Sequence, residues 1–145
     1  IKAKSFVTSN LKITKSFDLA KKTGKVNFPC RIDLSSDEMK DFSLILSNDI
    51  DEDVVIGYDK NLNQYFIDRT KSGKTDFQKD FAAKHVAPRI TDANSMNLSL
   101  IIDKSSIELF ADDGLTVMTE LFFPNKPYSH ITLKSKKHIL IKKFE

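Results

Sequence analysis

Side chains change character at every second residue through much of this chain. Val26, Phe28, Cys30, Ile32 and Leu34 alternate with the polar Asn27, Arg31 and Asp33. A strand projects successive side chains to opposite faces, so such a run has one buried face and one wet face. Leu11 to Leu19 reads the same way, with Leu11 and Ile13 against Lys12 and Thr14 before Phe17 and Leu19. Phe42 to Leu46, Val54 to Tyr58, Gln64 to Asp68 and Leu98 to Asp103 follow, then Ile107 to Ala111, Leu115 to Phe123, Ser129 to Leu133 and His138 to Phe144. These ten short runs predict an all-β fold, a two-layer antiparallel β-sandwich of about ten strands (concanavalin-like), with a closed barrel as the alternative. No Pro/Gly/Ser-rich linker divides the chain, so residues 1–145 read as one domain. A chain of this length buries about two thirds of its unfolded surface, enough for a core without staples.

The turns are built from an unusual supply. There are only 4 Gly, but 15 Asp against 5 Glu, and Asp and Asn form turns through side-chain to backbone hydrogen bonds. The acidic loop Asn48–Asp53 and the segment Asp59–Asn63 read as such connections. Asp112-Asp113-Gly114 between two strand-like runs is a hairpin signal, because Gly114 takes positive φ without steric cost. Pro124 ends the following strand by withdrawing a ladder donor. One stretch stays open: Asp76 to Ala87 spaces Phe77, Phe81 and His85 four apart. It predicts either a helix of at most two turns, capped by Asp76 and ended by Pro88, or an irregular connection.

Charge and cysteine usage exclude several functions. The net charge is +3, made of 20 Lys and only Arg31, Arg69 and Arg89 as arginines. Bidentate phosphate recognition favours clustered Arg, so the chain does not read as a nucleic-acid binder. The late lysines from Lys134 to Lys143 read as a solvated strand face. No apolar run approaches the roughly 20 residues that span a bilayer, which predicts no membrane insertion. Cys30 is the single cysteine; it reads as a small buried hydrophobe rather than a nucleophile. The chain opens on Ile1 rather than Met, from which a cut inside a longer protein is expected.

Several short motifs lack a residue that their chemistry needs. Ser72-Gly73-Lys74-Thr75 resembles the end of a phosphate loop, but Asp68 stands where that loop's first Gly belongs. Asp49, Asp51 and Asp53 have calcium-loop spacing, yet Val54 and Lys60 occupy the Gly and Glu positions. His85, His130 and His138 lack zinc-ligand spacing. Asn97-Leu98-Ser99 is a formal glycosylation sequon that opens a strand and reads as chance. Asp112 and Asp113 read as exposed turn formers, and Glu108 with Glu120 as a surface-facing cross-strand pair rather than an acid/base couple. Neither a cofactor nor a metal is expected.

Several blocks, taken in order, carry a resemblance. They are Ile56-Gly57-Tyr58-Asp59; Tyr65 through Asp68-Arg69 to Ser72-Gly73; Phe77 and Phe81 before Ala87-Pro88-Arg89; Leu98 through Asp103, Ser105-Ser106, Glu108 and Phe110; Asp113-Gly114; and Met118-Thr119-Glu120 to Pro124. In this order and spacing they resemble the C-terminal β-sandwich module of glycoside hydrolase family 32, the levanases, inulinases, invertases and related fructosidases. The anchors are Asp68, Arg69, Ser72, Gly73, Asp103, Ser105, Ser106, Glu108, Phe110, Gly114, Thr119 and Pro124, and structural roles are expected for them.

The resemblance implies an accessory half of a longer, retaining β-fructosidase whose active site lies on a five-bladed propeller. That family's Asn-Asp-Pro, Arg-Asp-Pro and Glu-Cys catalytic blocks do not occur in this chain, so no catalytic residue is carried over. The expected function is a non-catalytic module that packs on and stabilises the catalytic propeller of the same polypeptide, in an extracellular or periplasmic setting. Two alternatives are a fructan-binding module, with Tyr58, Tyr65 and Tyr128 as candidate sugar contacts, and an unrelated β-sandwich adaptor.

Overall fold

The computed structural model describes residues 8–13, 16–18, 28–36, 40–73, 83–135 and 139–144. Among them are twelve strands and no helix: β1 (Thr8–Ile13), β2 (Ser16–Asp18), β3 (Cys30–Ser36), β4 (Phe42–Ser47), β5 (Asp53–Asp59), β6 (Gln64–Asp68), β7 (Lys84–Pro88), β8 (Met96–Ile102), β9 (Ser106–Ala111), β10 (Thr116–Leu121), β11 (His130–Lys134) and β12 (Ile139–Phe144). They form two six-stranded sheets, ordered β1-β12-β3-β8-β9-β10 and β2-β11-β4-β5-β6-β7. The fold is the predicted all-β antiparallel sandwich.

Each layer buries its alternate residues against the other. Ile32 and Leu34 of β3, Leu98, Leu100 and Ile102 of β8, and Ile107 and Leu109 of β9 face Leu44, Leu46, Val54, Ile56, Ile67, Ile131 and Leu133 of the second sheet in one core cluster. Full burial of an aliphatic side chain of this size contributes about 1.5–3 kcal/mol. The register keeps that face dry, because a one-residue slip would turn every apolar side chain outward. In β3 the predicted alternation holds, with Ile32 and Leu34 inward and Arg31 and Asp33 outward; Val26 and Asn27 lie outside the described residues.

Two expectations are corrected. Leu11 to Leu19 is not one strand: β1 pairs with β12 in the first sheet, and β2 pairs with β11 in the second. The alternating pattern reports a face, not a sheet, so it carries no sign of the crossing. His85 is also not helical, since Lys84–Pro88 pairs antiparallel with Gln64–Asp68 as an edge strand. Pro88 is tolerated because it closes an edge strand. Asp76, Phe77 and Phe81 lie outside the described residues, as do the side chains of the late lysines beyond the exposed Lys134.

The hairpin between β9 and β10 forms where predicted, with Ala111 opposite Thr116. Its loop holds four residues, and Asp112, Asp113 and Gly114 have φ of 54°, 59° and 87°. Asp112 is not an exposed turn former; it is 7% exposed. The left-handed backbone aims its carboxylate into the end of the sandwich. There Tyr65 donates its hydroxyl to Asp112 Oδ2 at 2.6 Å, and Arg89 Nε donates to the same oxygen at 3.2 Å. Arg89 Nη2 also donates to the carbonyls of Ala93 and Ser95 at 2.7 and 3.0 Å. The Asp112 amide donates to Asn97 O at 2.7 Å. One buried carboxylate thus ties the first sheet's hairpin to β6 of the second and to the loop after β7.

Two outcomes follow. Asp112→Ala leaves the buried Arg89 guanidinium uncompensated and is expected to cost about 3–5 kcal/mol, whereas Tyr65→Phe removes one donor and costs about 1–2 kcal/mol. Urea denaturation reads both, and an Asp112→Ala loss below that of Tyr65→Phe contradicts the assignment. Burial pushes the Cys30 thiol up to about 11. At pH 8 its alkylation in the folded protein is therefore expected to run on the order of a hundredfold slower than in the unfolded chain. Equal rates before and after denaturation would show a thiol that burial does not protect.

Candidate functional site

Asp68, Arg69, Ser72, Gly73, Ser105 and Pro124, scattered through the sequence, meet at one edge of the sandwich. Asp68 ends β6, and its Oδ1 accepts from the Thr70 amide and hydroxyl at 3.0 and 2.7 Å. That side-chain turn leads the backbone off the strand. Ser72, fully buried, donates its hydroxyl to Arg69 O at 2.8 Å, and its own carbonyl accepts the Tyr128 hydroxyl at 2.5 Å. Lys71 O accepts the Asp53 amide at 2.8 Å. Gly73 has φ of 126°, and a Cβ there would lie 2.4 Å from Phe123 O and 2.6 Å from Pro124 Cα. Only glycine fits both the backbone and the contact. The Asp-Arg-x-x-Ser-Gly turn is thus packed directly on the Phe-Pro segment after β10.

Arg69 makes the second bond between these blocks. Its Nη1 donates to Leu121 O at 2.9 Å and lies 3.3 Å from Glu120 Oε2. His85 Nδ1 lies 2.5 Å from Glu120 Oε1. The edge strands β7 and β10 are therefore joined across the sandwich by an Arg–Glu–His cluster, and Thr116 Oγ1 adds a bond to Pro88 O at 3.0 Å. Glu120 is not the surface residue expected: it is buried, while Glu108 is exposed on the opposite face of the same sheet. Glu108 sits across from Thr119, not Glu120. Two carboxylates on opposite faces of a sheet cannot act on one glycosidic bond.

The link from β8 to β9 carries Asp103, Ser105 and Ser106. Asp103 Oδ1 accepts the Lys104 amide at 2.8 Å, its amide donates to Ser106 O at 2.9 Å, and Ser105 O accepts the Phe122 amide at 3.0 Å. Beside it runs a groove of about 550 Å³ lined by Lys104, Ser105, Phe123, Pro124, Asn125 and Lys126, among others. Gly114 closes the hairpin by donating its amide to Ala111 O at 3.1 Å. Phe110 is half-buried and Thr119 exposed, both on the outward face with Glu108.

The acidic loop is a clamp rather than an open cation cradle. Asn48 Oδ1 accepts the amides of Ile50 and Glu52, and its Nδ2 donates to Glu52 Oε1 and Lys126 O. Glu52 also accepts the Asn125 amide at 2.7 Å and its Nδ2 at 2.6 Å. Burial works against the ionised Glu52, and these hydrogen bonds overcome it, holding the carboxyl below its usual range. His130 lies 3.4 Å from Asp49. Among the described residues no group of three or more His, Cys, Asp or Glu side chains is arranged to hold a metal.

The three candidate sugar contacts are corrected. Tyr58, Tyr65 and Tyr128 are 3%, 0% and 3% exposed, so none offers a ring face to a ligand. Their rings pack inward: Tyr58 on Tyr65 and Tyr128 on Phe122, each at 5.4 Å between centroids. Their hydroxyls are spent on Asn63, Asp112 and Ser72. The sequence reading missed that Arg69 and Arg89 each hold a buried or nearly buried carboxylate. Their scarcity among so many lysines was the available signal, because a planar guanidinium suits buried pairing better than an ammonium.

Comparison with known proteins places this architecture. Residues 2–145 match the family described as "Glycosyl hydrolases family 32 C terminal". The chain is 37% identical over 111 residues to the extracellular exo-inulinase inuE of Aspergillus niger, covering 72% of this chain and 21% of that protein. It is 37% identical over 71 residues to a levanase of Bacillus sp. (strain L7), covering 49% of this chain and 8% of that one. The crystal structure of exo-inulinase from Aspergillus awamori superposes with a TM-score of 0.76 at 27% identity, over 97% of this chain and 28% of the exo-inulinase chain. The chain thus spans about a fifth of the length of the Aspergillus niger relative. With that match running across both sheets, the chain belongs to the C-terminal domain family of the family 32 glycosyl hydrolases.

Proposed function

We propose that this chain is the non-catalytic C-terminal module of a fructan- or sucrose-hydrolysing glycoside hydrolase, one β-sandwich domain over 1–145. Its task is to pack on and stabilise a catalytic five-bladed propeller of the same polypeptide. The observation that carries this reading is the correspondence of nearly the whole chain to about a quarter of an exo-inulinase. The geometry agrees with it. Nine of the twelve anchor residues, all but Glu108, Phe110 and Thr119, lie in turns and strand junctions, and the carboxylates of the described part are dispersed over separate faces and clamps. The relatives named extracellular support a secreted setting for the parent. Fructan binding through Tyr58, Tyr65 and Tyr128 loses its support with their burial.

The purified chain is expected to release no fructose from sucrose, levan or inulin. Titration calorimetry with levan and inulin oligomers is expected to give a flat isotherm. Fructose release that co-purifies with the chain and disappears on its removal would overturn the non-catalytic assignment. Saturable heat with either oligomer would restore the carbohydrate-binding reading, at a site other than the three tyrosines.

A further inference from the structure

Turns that end in water are built from polar residues, and exposed aliphatic side chains matter when they cluster rather than when they stand alone. Three loop tips at one end of this sandwich carry such a cluster. Leu62 in the β5–β6 turn is 65% exposed, Ile90 in the loop after β7 68%, and Leu115 in the β9–β10 hairpin 52%. The three tips belong to one surface. The Arg89 amide donates to Asn63 O at 3.0 Å, the Arg89 side chain pairs with Asp112 of the hairpin, and Thr116 Oγ1 donates to Pro88 O at 3.0 Å. The first tip is also pinned. Asp59 Oδ1 accepts the Leu62 amide at 3.2 Å, and Asp41 Oδ1 accepts the Lys60 amide at 2.8 Å. Turn chemistry asks for Asp59 and Asn63 there, but not for Leu62. The charges of this end are divided in a matching way. A pocket of about 400 Å³ lies beside Leu115, with Thr91, Ser95, Asn97, Asp112 and Asp113 among its walls. Its charged residues, among those described, are the two aspartates. Asp112 is matched inside the fold by Arg89. Asp113 is exposed and meets the neutral Asn97 amide at 3.2 Å, without an ion-pair partner among the described residues. Lys60 is exposed two residues from Leu62, also without an ion-pair partner among them.

We propose that this end of the sandwich is a self-association surface, on which a second copy of the chain docks end to end about a two-fold axis. Symmetry and charge complementarity select that occupant. A two-fold contact is isologous, so a single patch must supply both halves of every interaction. This patch does so. Lys60 of each copy meets Asp113 of the other, and two sets of Leu62, Ile90 and Leu115 close over the centre. A partner of another kind would use one of the two lone charges and strand the other. The proposal is independent of the accessory-module reading. Three loop tips make a footprint smaller than the roughly 20–30 residues a side of a stable interface. The dimer is therefore weak and concentration-dependent, and it tightens at low salt, where exposed charge pairs are least screened.

Sedimentation velocity of the chain over a concentration series, with small-angle scattering at the highest concentration, reads the contact. The expected result is a monomer–dimer equilibrium whose dimer is lengthened along the strand direction. Leu62→Ser with Ile90→Ser is expected to weaken the dimer at least about tenfold. Lys60→Glu and Asp113→Lys, made singly, are expected to do the same, because each sets like charges face to face. Combining Lys60→Glu with Asp113→Lys restores the pair with its sign reversed, and returns the dissociation constant to within about threefold of the original. All four side chains are exposed, and circular dichroism checks that each variant is folded. Val86→Ser, on the exposed edge strand β7, is the control and leaves the dimer unchanged. A chain that stays monomeric to about 1 mM overturns the proposal. So does a dimer that survives the single charge reversals, and so does one that the double reversal fails to restore.

Discussion

Strands β3 to β6 and β8 to β11 each have one dry face, and that face is satisfied only by a second sheet laid against it. The fold depends on this constraint. Neither sheet has an apolar face that could stand in water, so the layers form together around one cluster that runs from Ile32 and Leu34 to Ile131 and Leu133. Because the chain crosses between layers early, β1 and β2 belong to different sheets although they are neighbours in sequence. The first sheet is completed by β12, near the far end of the chain. Closure of the sandwich is therefore a long-range event, with the entropic cost that non-local pairing carries.

The polar groups of the interior are concentrated where the layers must be joined at their edges. Arg89 with Asp112 and Tyr65 holds the end of the sandwich, and Arg69 with Glu120 and His85 holds the flank between β7 and β10. A charge taken out of water is tolerated only when paired and hydrogen-bonded on its remaining atoms. Arg89 meets this with two backbone carbonyls besides its carboxylate. Such clusters specify geometry more than they add stability. They fix which loop meets which strand, and so place the Asp-Arg-x-x-Ser-Gly turn under the Phe-Pro segment.

This economy separates the anchor residues into two kinds. Asp68, Arg69, Ser72, Gly73, Asp103, Ser105, Ser106, Gly114 and Pro124 lie in turns and junctions that the sandwich itself requires. Glu108, Phe110 and Thr119 lie on an outward face that the sandwich does not require, beside the exposed Val117 and Leu121. The outer surface is apolar at one place, and the carboxylates of the described residues are distributed among separate clamps and faces.

Alternation determined the all-β class and the strands from β3 to β6 and from β8 to β11 to within a few residues, and the Asp112-Asp113-Gly114 turn determined the β9–β10 hairpin. Each of those signals is local, set by one chain's pleat and by turn chemistry. The ordered blocks of residues likewise sufficed for the family. Only the tertiary structure decided which sheet Leu11 and Phe17 join, that Lys84–Pro88 is an edge strand, and that Asp112 and Glu120 are buried while Tyr58, Tyr65 and Tyr128 present no ring to solvent. The reason is the same in each case. A side chain's burial and partners depend on what the other layer brings opposite it, from residues tens of positions away, and period-two alternation records a face without recording what covers it.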